Sequence, residues 1–258
     1  MMRMSVASCI ILSLVIISGG ASYAASDNAC GQLPSQADLK AALTAARQAT
    51  NGGFDLDMWG TIVNRDGIVC AVAFTGVDRG AQWPGSRVIS AQKANTANSF
   101  SLPGLALSTA NLWAAVQPGG SLYGLQESNP VDTQAAYKGP SANYGTAVDP
   151  LVGLKIGGVN VFGGGLALYN SGGVLVGAIG VSGDSSCADH NIAWRARHTL
   201  NMDFVPGGVG GDATRPDNIN YQGLVPVPSL AADFSHPICK IAGADGVSAI
   251  SAALPPKQ

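Results

Sequence analysis

The sequence predicts an α+β fold, an antiparallel sheet with helices packed against it. Three observations carry this. Two pairs of short apolar segments each flank a glycine-containing turn, the mark of a β-hairpin. Stretches with helical spacing of apolar residues precede, separate and follow those hairpins. The chain is 47 % hydrophobic and only 12 % charged, enough apolar material for a buried core.

The elements follow in order. Ser35 can cap a helix, and Asp38 stands where a capping box wants an acid. Leu39, Ala42, Leu43, Ala46 and Ala49 then recur at helical spacing until Gly52-Gly53. Residues 59–64 and 68–74 read as strands joined by Arg65-Asp66-Gly67. The second is apolar on both faces, so it should be covered on both sides. Pro84-Gly85-Ser86 opens a helix over about 87–100, whose small face of Ala91, Ala94 and Ala97 lets it lie close to a sheet. Residues 108–116 suggest a short third helix. Residues 119–153 are mostly loop, long enough to be a functional or packing insertion. A second hairpin joins 166–169 to 174–181 through Asn170-Ser171-Gly172-Gly173, and Gly163-Gly164-Gly165 beside it suits a bulge. A last helix runs from Ser186 to about Leu200, capped from residues 182–185. Seven of the 14 prolines fall after residue 200, so 201–258 reads as an extended tail lying on the domain.

The N-terminus has the pattern of an export signal over residues 1–24: Arg3, an apolar run over 8–17, then Ser22-Tyr23-Ala24 as an exit site. The run is too short for a permanent membrane span, so a periplasmic or extracellular location is expected. Cys9 would leave with the signal. Cys30, Cys70, Cys187 and Cys239 remain, an even number that favours disulfides in an exported chain. Of the three possible pairings we favour Cys187–Cys239, which would tie the tail to the domain, with Cys30–Cys70 by elimination. No C-x-x-C-H is present for covalent haem attachment. Net charge is −2 with no basic block, which argues against nucleic acid as a partner.

Three stretches stand out in order: Asp66-Gly67-Ile68-Val69 leading to Val77-Asp78-Arg79-Gly80-Ala81; Ser90-Ala91-Gln92-Lys93-Ala94-Asn95-Thr96-Ala97; and Gly157-Gly158-Val159-Asn160-Val161 followed by 176–183, Val-Gly-Ala-Ile-Gly-Val-Ser-Gly. Together they resemble the GlcG/HbpS family, which also includes the C-terminal domain of PduO-type adenosyltransferases. The resemblance covers about residues 35–200, within a domain of 25–200. It implies a profilin-like sheet with helices on its faces, self-association into a homo-oligomer, and haem or tetrapyrrole binding. The insertion, the tail and the four cysteines look like additions to the family pattern.

Cys187, His190, Trp194 and Arg197 share one face of the last helix. Ala188, Ile192, Ala196 and Leu200 form a more apolar face that should meet the sheet, leaving the His190 face outward or toward a pocket. An imidazole can ligate haem iron, an indole can pack on the macrocycle and a guanidinium can pair with propionates. If Cys239 pairs with Cys187, His236 arrives beside His190, and the two rings become candidate metal ligands. The plainer reading, favoured by the residues alone, is a surface helix with a solvated His190 and a tail merely stapled down. Lys93 and Arg79 are candidates for binding an anion; structurally, Lys93 could instead cap carbonyls or pair with Asp66 or Asp78. Gly177, Gly180 and Gly183 have the wrong spacing for a phosphate loop and read as close-packing positions. A Ser182, His190, Asp189 triad is disfavoured, because Asp189 and His190 face differently.

The expectation is therefore an exported protein that binds haem or a similar planar or anionic small molecule. The alternatives are an enzyme acting on a small carboxylated metabolite, with Lys93 and Arg79 as clamps, and a ligand-free structural oligomer.

Overall fold

The computed structural model describes residues 29–223, 233–241 and 245–258; the expected export signal over 1–24 lies outside them. The helix α1 (Gln36–Arg47) begins at Ser35, whose side chain accepts from the Asp38 N–H while the Asp38 carboxylate accepts from the Ser35 N–H. That reciprocal pair satisfies two donors a helix start leaves open. The strands β1 (Trp59–Asn64) and β2 (Val69–Phe74) pair antiparallel through the expected turn, with Gly67 at φ 74°. The helix α2 (Ser86–Phe100) follows. The strands β3 (Gly165–Tyr169) and β4 (Leu175–Ser182) form the second hairpin. Antiparallel pairing of β1 with β4 joins the hairpins into one sheet of order β2-β1-β4-β3. Within the insertion lies a single helical turn, α3 (Thr133–Ala136). The helix α4 (Ser186–Thr199) starts at the N-cap Ser185.

Each strand lends alternate residues to two cores, as the period of a pleated sheet requires. Ile62, Ala71, Leu166 and Ile179 face α1 and α4, meeting Leu39, Leu43 and Ile192. Val63, Val72 and Ala178 face α2, meeting Val88, Ala91 and Ala94. The result is the α+β architecture the sequence implied: an antiparallel sheet between α1 with α4 on one side and α2 on the other. The glycines of β4 are close-packing positions. A Cβ on Gly180 would collide with the Ser90 carbonyl and the Ala94 nitrogen, and one on Gly177 with the Val63 carbonyl.

The insertion packs on the α2 side. Leu151 and Ile156 enter that core. Buried Asp149 accepts from Arg87 of α2 at 3.0 and 2.5 Å, and Tyr144 stacks 3.6 Å from the same guanidinium. Both expected disulfides are present, Cys30–Cys70 and Cys187–Cys239, with Cα separations of 5.5 and 6.1 Å.

Two expectations are corrected. Residues 108–116 are turns ending in one 3-10 turn, Ala114–Val116, rather than a helix. Thr109 and Asn111 are fully buried and spend their side chains on distant loop backbone, Thr109 on Phe162 O and Asn111 on Asn218 O, which competes with helix formation. The tail is not wholly extended: it contains a helix, α5 (Asp245–Ala252), whose Val247 packs with Cys187, Ile219 and Tyr221. Among the described residues no helix is long and apolar enough to cross a membrane.

Candidate functional site

The N-terminal halves of α2 and α4 converge beside the ends of β3 and β4 and leave a crevice of about 370 Å³. Trp83, Ile89 and Phe162 form apolar walls; Trp83 and Phe162 are about half exposed, at 51 and 47 %. Phe54 meets the Trp83 ring edge-on at 6.1 Å and extends the apolar rim. Lys93, Asp189, Ser182 and Ser186 also line it.

Lys93 from α2 and Asp189 from α4 join at 2.7 Å, and the lysine also donates to Val181 O at 3.1 Å. Lys93 thus meets a carbonyl, one of the roles open to it, and its acidic partner is Asp189 rather than the candidates Asp66 or Asp78. The correction has a simple cause: α2 crosses the sheet so that position 93 points at the start of α4, away from the β1–β2 turn. Burial draws both groups toward their neutral forms. It lowers the Lys93 ammonium below its usual range and lifts the Asp189 carboxyl to about 6, each opposed by the other's charge. Asp189 also accepts from the Asp184 N–H at 2.8 Å. Asp184 in turn accepts from the Phe54 and Leu56 amides, fixing the rim loop.

The helix face expected to be open is closed. Cys187, His190, Trp194 and Arg197 are each fully buried, so neither a pocket-facing nor a solvated His190 survives. The tail covers them. Asp217 takes both outer nitrogens of Arg197 at 2.6 and 2.8 Å, Trp194 Nε1 donates to Pro255 O at 2.9 Å, and the disulfide brings Cys239 onto Cys187. Apolar neighbours alone would leave the buried indole and guanidinium without partners. An acid at 217 and a carbonyl at 255 instead satisfy the two outer nitrogens of Arg197 and Trp194 Nε1, on side chains that sequence reading took for ligand contacts.

His190 is the exception. Asn218 lies near enough to favour its charged form slightly, without completing a hydrogen bond to either ring nitrogen. Burial pushes the ring's pKa down to about 3, so it is neutral at physiological pH. His236 is also buried, its pKa drawn down to about 4 chiefly by that burial. Both its nitrogens are engaged, Nε2 with Ser186 Oγ at 2.7 Å and Nδ1 with Pro237 O at 2.6 Å. Cys187, His236 and Cys239 bring donor atoms within 4.8 Å of one another, but the two sulfurs are spent in the disulfide. The expected pair of metal-binding imidazoles is therefore not assembled at the crevice: His190 is sealed beneath the tail, and both His236 nitrogens are engaged. Arg79 lies elsewhere, in a second crevice with Lys40 and Tyr144, so the structure does not assemble a Lys93–Arg79 anion clamp.

Sequence reading missed Trp83, Ile89, Phe162 and Ser186. The third family-like stretch runs through Ser182 and the second through Lys93, so their convergence was the available signal.

The family model for haem degrading protein HbpS-like matches residues 35–198. This chain belongs to the HbpS-like family. The match spans the sheet, α1, α2 and α4, and stops where the covering tail begins. No curated protein matches the chain. Among solved structures, the chain is similar to a PduOC–haem complex at 24 % identity and TM-score 0.46, covering 66 % of this chain and 94 % of that one. A Klebsiella pneumoniae protein, ORFY, of the DUF336 family model, gives 24 % identity, TM-score 0.43, and coverage of 65 and 90 %.

Proposed function

We propose that this HbpS-like protein is exported and binds haem, or a similar planar tetrapyrrole, at the crevice between α2 and α4. The observation that carries the reading is the crevice itself. Residues of two family-like stretches meet there, and its apolar walls and half-exposed aromatic rim suit a flat apolar body. The fit is to the macrocycle: Trp83, Ile89 and Phe162 would hold its faces. Among the described residues no histidine, cysteine, methionine or tyrosine lines this crevice, so none is assigned to the iron. Bound haem would bring a redox-active iron open to ligands. Two disulfides support an oxidising compartment, as expected after export.

Haem titration of the purified, haem-free protein tests this. A Soret band should grow to one equivalent and should be lost in Ile89→Glu and Phe162→Asp, which place charge in the walls. His190→Ala should keep the band, because His190 is sealed behind the tail. No band at stoichiometric haem would sink the proposal.

A further inference from the structure

The tail beyond the family domain brings a base to one serine of the crevice. Ser186, the first residue of α4, is half-buried and lines it. The tail delivers His236 to its far side, with Ser186 Oγ and His236 Nε2 at 2.7 Å. His236 Nδ1 lies 2.6 Å from Pro237 O. A carbonyl oxygen only accepts, so the ring proton sits on Nδ1 and Nε2 is left as the acceptor. The Ser186 hydroxyl therefore donates to His236. This is the nucleophile–base–orienter arrangement of activated serines, with a backbone carbonyl in the orienting role.

Both members are held rigidly. Cys187 follows Ser186, and Cys239 lies three residues beyond His236, so one disulfide clamps both sides. The His236 backbone is bonded on both sides, its N–H to Asn220 O and its carbonyl to the Gln222 N–H. Trp113 flanks the ring at 6.1 Å. Gly163 N–H donates to Ser186 Oγ at 2.7 Å, and Ser186 stands at the positive end of α4.

We propose that Ser186 is a nucleophile activated by His236, and that the crevice transfers small apolar acyl groups from esters to water. Ser186 Oγ attacks the ester carbonyl carbon as its proton passes to His236 Nε2. The bond from that carbon to the alcohol oxygen breaks, and the alcohol leaves with the proton. Water then attacks the acyl-serine and gives a proton to Nε2. The acid departs, and the proton returns to Ser186. Ester and water become acid and alcohol, with nothing oxidised or reduced. The walls of Trp83, Ile89 and Phe162 select a short alkyl or aryl acyl group, in keeping with a crevice of about 370 Å³.

The activity goes beyond haem binding and is tested on the haem-free full chain. A fluorophosphonate probe should label the wild-type protein on the peptide bearing Ser186. Hydrolysis of p-nitrophenyl butyrate should fall by about 100-fold or more in both Ser186→Ala and His236→Gln, the range for loss of an activated nucleophile or its base. Labelling of the folded wild type does not depend on how either variant folds. No label on Ser186, or hydrolysis unchanged in a folded Ser186→Ala protein, overturns the proposal and leaves Ser186 as a tether for the tail. A missing Soret band defeats the haem reading alone, and a missing Ser186 adduct defeats this one alone.

Discussion

Arg197 of α4 and Asp217 of the tail share two hydrogen bonds, at 2.6 and 2.8 Å, with neither side chain exposed. Removing one partner leaves a buried charge without compensation, at a cost of about 3–5 kcal/mol. Asp217→Ala should therefore shift the urea midpoint strongly, while the paired exchange Arg197→Met with Asp217→Leu should recover most of the loss. Equal losses in the single and double variants would show that the pair does not anchor the tail.

The Cys187–Cys239 bridge closes a span of 52 residues. Chain-entropy reasoning gives such a cross-link about 4 kcal/mol, realised in practice as about 2–4. The double variant Cys187→Ala, Cys239→Ala should lose stability of that order and loosen the tail over Trp194. Its tryptophan emission should move to longer wavelength, and the extra shift should vanish when Trp194→Phe is added. Unchanged emission would mean the tail stays down without the bridge.

Gly180 lies on β4 beneath α2, where a Cβ would strike the Ser90 carbonyl and the Ala94 nitrogen. Backbone cannot step aside as a flexible side chain can, so Gly180→Ala should cost about 1–3 kcal/mol by overpacking. Gly104→Ala, in the turn after α2 where no atom lies within 4 Å of an added Cβ, is the control. Comparable denaturation midpoints for the two variants would argue against close approach of α2.

Acid should weaken the fold, and the sign follows from three buried groups. His190 and His236 are depressed by burial, to about 3 and about 4, from an ordinary 6.5. Below pH 6.5 the unfolded chain takes up protons that the folded rings refuse, so their contribution is full above pH 6.5 and is lost as pH falls. Asp189, raised by burial to about 6, acts oppositely: between pH 6 and 4 the folded carboxyl binds the proton first. Two rings against one carboxyl leave a net loss over that window, about 1.4 kcal/mol per pH unit for each uncompensated proton. His190→Leu should remove one proton's worth of that slope in denaturation at pH 5 against pH 7. An unchanged slope would show that His190 is not held neutral.

Local chemistry made the first three-quarters of the fold readable. The Ser35–Asp38 box, the Asp66-Gly67 turn and the alanine face of α2 each act over a few residues, and each appears where the sequence put it. The disulfides were one of three pairings open to four cysteines, favoured because one bridge would tie the tail to the domain. What stayed hidden depends on long-range placement. The apparent ligand face of α4 was correctly assembled as a face, but only Asp217 and Pro255, far along the chain, decide that it is covered. The helix α5 left a trace, since Val247, Ile250, Ser251 and Leu254 keep helical spacing, yet it is short and set among prolines. Ser186 and His236 are 50 residues apart, and no local pattern joins them.

The ribosome meets α4 long before it meets what covers that helix. The carbonyl that satisfies the Trp194 indole arrives 61 residues later, at Pro255. A chain cut short of that residue would keep all four strands of its sheet and still leave the Trp194 indole N–H without its acceptor, so the last residues serve α4 while adding nothing to the sheet.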